Sequence, residues 1–144
     1  MKYCLLSLSI LLAGCTTAQF APSSAGAKTM TGQMRYAGAK RTFVGDFTAR
    51  VSATEFQLDV SKGPGVALLS VHESNGTLAR FEGGNRAWQG NPQHFIPGQL
   101  RSWLALHDVF LDRPRPDVRA SRTDSLINAE FLPTHERFTF QINR

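Results

Sequence analysis

The sequence predicts an α+β fold, in which a curved antiparallel sheet of about six or seven strands carries one helix across its concave face. Three observations predict this fold. After Lys40, apolar and polar residues alternate with a period of two in several short segments. Asn75-Gly76 is a pair favoured by tight type I′ hairpin turns. A single segment, from Pro97 to Asp108, has apolar residues at helical spacing.

The predicted strands follow one another closely along the chain. They are residues 43–51, 55–61, 66–73, 77–82, 86–89, 127–131 and 137–143. Residues 62–65 (Lys-Gly-Pro-Gly) and 83–85 (Gly-Gly-Asn) provide turns between them. The last segment has the cleanest pattern, because Phe138, Phe140 and Ile142 alternate with polar residues.

The predicted helix begins at Pro97, a residue that suits the first helical position. Leu100, Trp103 and Leu104 form an apolar stripe on it. Because isolated helices of this length are marginal in water, the stripe is expected to pack against the sheet. Residues 111–123, which include the run Arg-Pro-Arg-Pro, are expected to form an exposed connection without regular structure.

The N-terminus has the parts of a bacterial lipoprotein signal. Lys2 is the positive region, residues 5–12 form an apolar run, and Ala13-Gly14 are the small residues before Cys15. The apolar run is too short to span a bilayer. The pattern therefore predicts a signal peptide over residues 1–14 and acylation of Cys15 with diacylglycerol, usually with a third chain such as palmitate. Two or more acyl chains would hold the protein on its membrane.

The rest of the chain is divided into a tether and one domain. Residues 15–40 are expected to be the acylated N-terminus and a flexible tether, because they are rich in small and polar residues without periodicity. Residues 41–144 are expected to be the folded domain. Thr16, rather than an aspartate, follows Cys15, which favours the outer membrane with the domain facing the periplasm. Cys4 leaves with the signal, so the fold is expected to depend on packing without a disulfide.

The sequence carries no catalytic signature. It has no Gly-x-Ser-x-Gly elbow, no phosphate-binding glycine loop and no His-Glu-x-x-His pattern. The histidines lie far apart, without metal-ligand spacing, at His72, His94, His107 and His135. His107-Asp108 could be half of a general-base dyad, but a histidine also suits the dipole at a helix C-terminus. We therefore expect no enzyme activity, no metal and no cofactor, and the mild net charge of +5 does not favour nucleic acid.

Two further features each have two interpretations. A basic cluster, which could contact lipid phosphates or form a solvated loop, consists of Arg113, Arg115, Arg119 and Arg122. Trp88 and Trp103 could stack on a sugar such as peptidoglycan or fill the core. The solvated loop and the core are the favoured interpretations, the second because many phenylalanines share the strand faces.

Two segments carry a resemblance to a known family. Residues 56–71 form a strand, a Pro/Gly turn and a Leu-rich strand, and residues 96–104 form a helix start with Pro97, Leu100 and Trp103-Leu104. In these segments, and more broadly over about 43–106 and 126–143, the chain resembles the LolA/LolB lipoprotein-carrier superfamily. The resemblance implies an antiparallel half-barrel with a helical lid over a hydrophobic cavity, and the lipoprotein signal suits the membrane-anchored LolB branch. The chain is shorter than members of this family by several strands' worth of residues.

The resulting hypothesis is a non-catalytic transport or binding lipoprotein with lipid or lipoprotein acyl chains as its cargo. Burial of each methylene would contribute about 0.8 kcal/mol. The expected cavity residues are Phe47, Phe56, Leu58, Leu69, Val71, Phe81, Leu100, Trp103, Leu104, Phe138 and Phe140. The alternative is a structural or interaction lipoprotein of the envelope with a fully packed core. The expected partners are the membrane, through acylated Cys15, the acyl chains, and a periplasmic carrier or another envelope protein.

Overall fold

The computed structural model describes residues 26–144, where nine antiparallel strands form one sheet that is not closed. The strands are β1 (Lys28–Ala37), β2 (Thr42–Val51), β3 (Glu55–Ser61), β4 (Ala67–Ser74), β5 (Leu78–Gly83), β6 (Arg86–Gly90), β7 (Val118–Arg122), β8 (Leu126–Phe131) and β9 (Glu136–Ile142). A 3-10 turn, Gly98–Leu100, leads into the helix α1, Arg101–Phe110. The order across the sheet is β6-β5-β4-β3-β2-β1-β9-β8-β7. The predicted α+β class and its antiparallel sheet are confirmed.

The seven predicted strands are present, with bounds shifted by no more than about two residues. On β3, Phe56, Leu58 and Val60 are buried and the residues between them are half-exposed, as the alternation predicted. The predicted helix begins after Pro97 as a 3-10 turn and continues beyond Asp108 to Phe110. Two strands, β1 and β7, were not predicted, and they raise the count from six or seven to nine.

The predicted tether is wrong over residues 28–37, because this segment is β1 in the middle of the sheet. Strand β1 pairs with β2 on one side and β9 on the other, so it joins the two parts of the sheet. Its buried face consists of Met30, Gly32 and Met34, and the glycine interrupts the apolar alternation that identifies a strand. A Cβ atom at Gly32 would lie 1.9 Å from the Gln141 carbonyl oxygen, so only glycine fits there. The predicted signal peptide and Cys15 lie outside the described residues.

The predicted connection over 111–123 is also wrong in part, because Val118–Arg122 form β7 at one edge of the sheet. Four of its five residues are exposed, and only Val118 is half-buried. An exposed edge strand of this kind needs no apolar alternation, since its backbone hydrogen bonds come from pairing with β8. Pattern-based prediction therefore has no signal to detect.

The sheet bends around α1. The Trp103 ring lies 6.3 Å from the Phe81 ring on β5 and 4.9 Å from the Phe138 ring on β9. These strands are five interstrand spacings apart in the sheet, which would place them on the order of 24 Å apart if the sheet were flat. One side chain can contact both only if the strands curve around the helix. Eight residues of α1 are accordingly buried.

Candidate functional site: the helix–sheet layer

The apolar layer between α1 and the inner face of the sheet contains the eleven residues that the sequence predicted to line a cavity. Ten of them are buried, and Phe81 is half-buried at the border. All except Leu100 belong to one continuous apolar cluster. Leu100 is buried at the start of the helix, outside this cluster.

Aromatic side chains of α1 fill this layer in the structure. In the N-terminal half of the helix, the Trp103 ring lies 4.9 Å from Phe138, edge to face, and 5.0 Å from Tyr36. In the C-terminal half, the Phe110 ring lies 4.9 Å from Phe140 and 5.6 Å from Phe56. These are ordinary packing distances for aromatic pairs. Trp103 is therefore part of the core, as the favoured interpretation predicted.

Sequence reasoning missed several residues of the layer. Phe110 was omitted because the predicted helix ended at Asp108, although it lies seven residues after Trp103 and so on the same helical face. Met34 and Tyr36 were assigned to the tether, yet Met34 is 1% exposed and Tyr36 packs against Trp103. The residual period-two pattern of β1 was the signal that could have found them.

Surface cavities lie around the layer in the part of the chain that the structure describes. One of about 400 Å³ lies beside α1 and is lined by Leu104 with charged residues that include Glu73 and Arg101. A second, of about 360 Å³, is lined by residues of β2, β3 and β4, among them Phe47 and Leu69. A third, of about 680 Å³, lies where β1 begins and has a largely polar lining.

A buried histidine joins α1 to the sheet. His107 Nδ1 lies 3.2 Å from Glu73 Oε1 on β4, and Nε2 lies 2.9 Å from the Ser52 carbonyl oxygen. The imidazole also stacks on Phe56 at 5.4 Å. Both polar partners only accept hydrogen bonds, and a neutral imidazole has a single N–H, so the protonated ring is the form that satisfies both. Neither nitrogen is free to act as the general base of the dyad considered from sequence.

The charge state of His107 follows from these contacts. Burial acts to lower the pKa of His107, but the hydrogen bonds to Glu73 and to the Ser52 carbonyl, with the nearby negative charges, raise it overall above its ordinary value of 6.5. The second carboxylate that contributes is Asp108, the next residue on the helix. The charged, doubly hydrogen-bonded form of His107 therefore persists to higher pH than that of an ordinary histidine.

Arg115 holds the C-terminal half of α1 to the segment before β7. Its Nε and Nη2 each donate to Asp117 at 2.8 Å, and its Nη1 donates to Asp108 at 2.9 Å. The hydrogen bond to Asp117 is the largest cause of a raised pKa for Arg115, and the same contact lowers the pKa of Asp117. Such a two-pronged arginine–carboxylate pair has a defined geometry.

The other arginines of the predicted basic cluster also have partners. Arg113 lies 3.8 Å from Asp108, and Arg119 lies 3.4 Å from Glu130. Arg122 Nη1 donates at 2.7 Å to the carbonyl oxygen of Phe110, at the end of the helix. The cluster is therefore paired with carboxylates and a helix terminus, which argues against its use for lipid phosphates.

A tyrosine–glutamate pair lies at the other end of the layer. The Tyr36 and Thr134 hydroxyls each donate to the Glu136 carboxylate at 2.5 Å. Burial, and next the hydrogen bond to Glu136, raise the pKa of Tyr36. Gly38 leaves room for this hydroxyl, since a Cβ there would lie 2.3 Å from it. Glu136 is thus buried with both of its oxygens hydrogen-bonded.

Within residues 26–144, no group of three His, Cys, Asp or Glu side chains is arranged to hold a metal ion. In the same range, no helix has the length and apolar character needed to cross a membrane. No protein-family model matches the chain, and no curated protein sequence is significantly similar to it.

Proposed function

We propose that the protein is an outer-membrane lipoprotein, anchored through acylated Cys15, whose periplasmic domain binds the acyl chains of lipids or lipoproteins without catalysis. In this proposal the curved sheet is a half-barrel and α1 is its lid. The observation that carries the proposal is the continuous apolar layer between one short helix and an unclosed sheet. The lipoprotein signal and the resemblance to the LolA/LolB superfamily support it.

Helix α1, which covers this layer, can be displaced without breaking the sheet. The strands are held by their own antiparallel pairing, whereas α1 has ten residues and would be marginal without tertiary packing. Displacing α1 would expose the inner face of the sheet and leave the strand ladder intact. An acyl chain entering there would replace the helix contacts, and each buried methylene would contribute about 0.8 kcal/mol.

The helix is fixed unevenly, which indicates where it would open. Its C-terminal half is held by the polar contacts of His107, Arg115 and Arg122. Its N-terminus has no side-chain cap and no acidic residue in the first turn. We therefore propose that the N-terminal half lifts and that cargo enters as Trp103 leaves its position between Tyr36 and Phe138.

A second candidate function is supported by the same layer. Its aromatic rings are already at contact distance, so the layer can equally be a permanent core. The protein would then be an interaction lipoprotein of the envelope that contacts partners only through its surface.

A binding assay with a fluorescent long-chain fatty acid distinguishes the two candidate functions, because only the first predicts saturable binding. The protein tested begins at Gly26, so that it keeps β1. We expect micromolar binding that long-chain lipids compete and short-chain ones do not. Trp103→Phe is expected to alter the affinity, whereas Phe95→Ala, at an aromatic residue that is 66% exposed, is expected to leave it unchanged. A well-folded protein without saturable binding would leave the packed interaction module as the better account.

A further inference from the structure

One end of the sheet collects unpaired positive charge. Four hairpins of the antiparallel sheet close at the same end of the sheet. The pairs that close them are Ala37/Thr42, Ser61/Ala67, Gly83/Arg86 and Phe131/Glu136. Strand pairing therefore brings their turns together, and these are residues 38–41, 62–66, 84–85 and 132–135. The helix also starts here, since Arg86 Nη1 donates to Gln99 at 2.8 Å. We name these four turns, with Arg86, the basic end.

The four lysines and arginines of this end are exposed, and they are Lys40, Arg41, Lys62 and Arg86. None of them takes part in an ion pair within residues 26–144. The four turns contain no aspartate or glutamate. The carboxylate that begins β9, Glu136, is buried and accepts from Tyr36 and Thr134. Two further carboxylates lie beside the last turn, but Asp117 is paired with Arg115 and Glu130 with Arg119 and His135. The four basic residues therefore have no ion-pair partner among the described residues.

The opposite end has a different charge balance. Lys28, Arg122 and Arg144 lie there beside Asp112 and Asp124, around the polar cavity of about 680 Å³. Acidic and basic residues line this cavity together, whereas the four basic residues of the basic end have no carboxylate partner. The excess positive charge of the domain is thus concentrated at one end of the sheet, so the two ends differ in electrostatic potential.

We infer that the basic end is a docking surface for the acidic face of a second protein. Exposed lysines and arginines without ion-pair partners attract a carboxylate-rich surface and speed its association. Val44 and Val66, near this end, are 56% and 52% exposed and can supply the apolar contacts that protein interfaces combine with arginine. Surfaces that insert into membranes use larger residues, such as Trp, Phe or Leu.

The position of the anchor also favours a soluble protein as the partner, and this step rests on the proposed acylation of Cys15. The chain enters the sheet at Lys28, at the opposite end, and β1 then runs about 33 Å to the basic end. An anchor before Lys28 would be attached to the domain at that opposite end. It would leave the basic end uncovered, where a periplasmic partner can reach it.

The test uses the full-length protein in phosphatidylcholine nanodiscs and a fluorescein-labelled oligoglutamate peptide as the acidic probe. We compare Lys40→Glu/Lys62→Glu with Lys28→Glu/Arg144→Glu, which makes the same change in net charge at exposed positions of the opposite end. The first pair is expected to weaken peptide binding roughly tenfold and the second less than about twofold. Binding is also expected to fall steeply with added salt.

Three results would overturn the inference. They are equal losses for the two pairs of substitutions, no saturable peptide binding, or capture of phosphatidylglycerol vesicles that depends on Lys40 and Lys62. The last would make a lipid surface the partner. Fatty-acid binding and acylation of Cys15 are measured separately, so failure here leaves the proposed function standing.

Discussion

His107 and Glu73 form a buried link between the helix and the sheet, with Nδ1 and Oε1 3.2 Å apart and both side chains largely shielded from water. The other imidazole nitrogen lies 2.9 Å from the Ser52 carbonyl oxygen, so each ring nitrogen has a polar partner. The two residues are 34 positions apart in the chain and meet only because the helix crosses β4. This link makes the attachment of α1 sensitive to the ionisation of one side chain.

The first prediction is a loss of stability as the pH rises. The pKa of His107 is raised above 6.5 in the folded protein, so its contribution is fully present below the unfolded pKa and is lost as the pH passes through the folded value. Urea unfolding is expected to give a lower free energy of unfolding at alkaline pH than at mildly acidic pH. In His107→Gln this slope is expected to be smaller. Equal slopes in the two proteins would show that His107 does not carry the effect.

The second prediction concerns the buried hydroxyl of Ser102 on α1. Its side chain is 1% exposed, and its oxygen has no hydrogen-bond partner. Ser102→Ala is expected to keep the stability or raise it by up to about 1 kcal/mol, because it removes a desolvated polar group and favours the helix. The matched control is Ser52→Ala, where the hydroxyl oxygen accepts from the Glu55 N–H at 3.0 Å and its loss should cost about 1 kcal/mol. Calorimetric melting of both variants tests the contrast, and a clear loss in Ser102→Ala would contradict it.

The parts of the fold that sequence reasoning found are those in which burial alternates. On β9, Phe138 and Phe140 are buried between exposed or half-exposed residues, so the pattern and the structure coincide. The same holds for the apolar stripe of α1. Strand β7 was missed because its residues are mostly exposed, and pairing rather than patterning forms it.

The sequence predicted many of the apolar residues of the candidate site. It did not predict the polar contacts that attach α1 to the rest of the domain. Strand and helix periodicity identified the eleven predicted residues of the layer but not Met34, Tyr36 or Phe110. The links from His107 to Glu73 and from Arg115 to Asp108 depend on how the helix is placed over the sheet, which local patterns do not determine. The charge asymmetry was hidden for a similar reason, because its residues are dispersed in the chain and meet only through the strand order.

The third prediction tests the place of β1 in the domain. A methyl group at position 32 would overlap the Gln141 backbone of β9, so Gly32→Ala is expected to cost about 3 kcal/mol or more or to prevent folding. Gly98→Ala is the control, because a Cβ there meets nothing within 4 Å. Circular dichroism melting should separate the two variants widely. A Gly32→Ala protein as stable as the control would mean that residues 28–37 do not lie between β2 and β9.

The last prediction concerns the anchor, on which the proposed function depends. Cys15 follows a small-residue pair at the end of an apolar run, whereas Cys4 lies before that run, within the predicted signal. Cys15→Ala is therefore expected to remain an unprocessed precursor that takes up no labelled palmitate, and Cys4→Ala is expected to be labelled and processed normally. Because acyl chains and not the domain would hold the protein on the membrane, Cys15→Ala should also fail to yield a mature form that fractionates with the outer membrane. Palmitate incorporation into Cys15→Ala, or its loss in Cys4→Ala alone, would move the acylation site and remove the basis for this anchor.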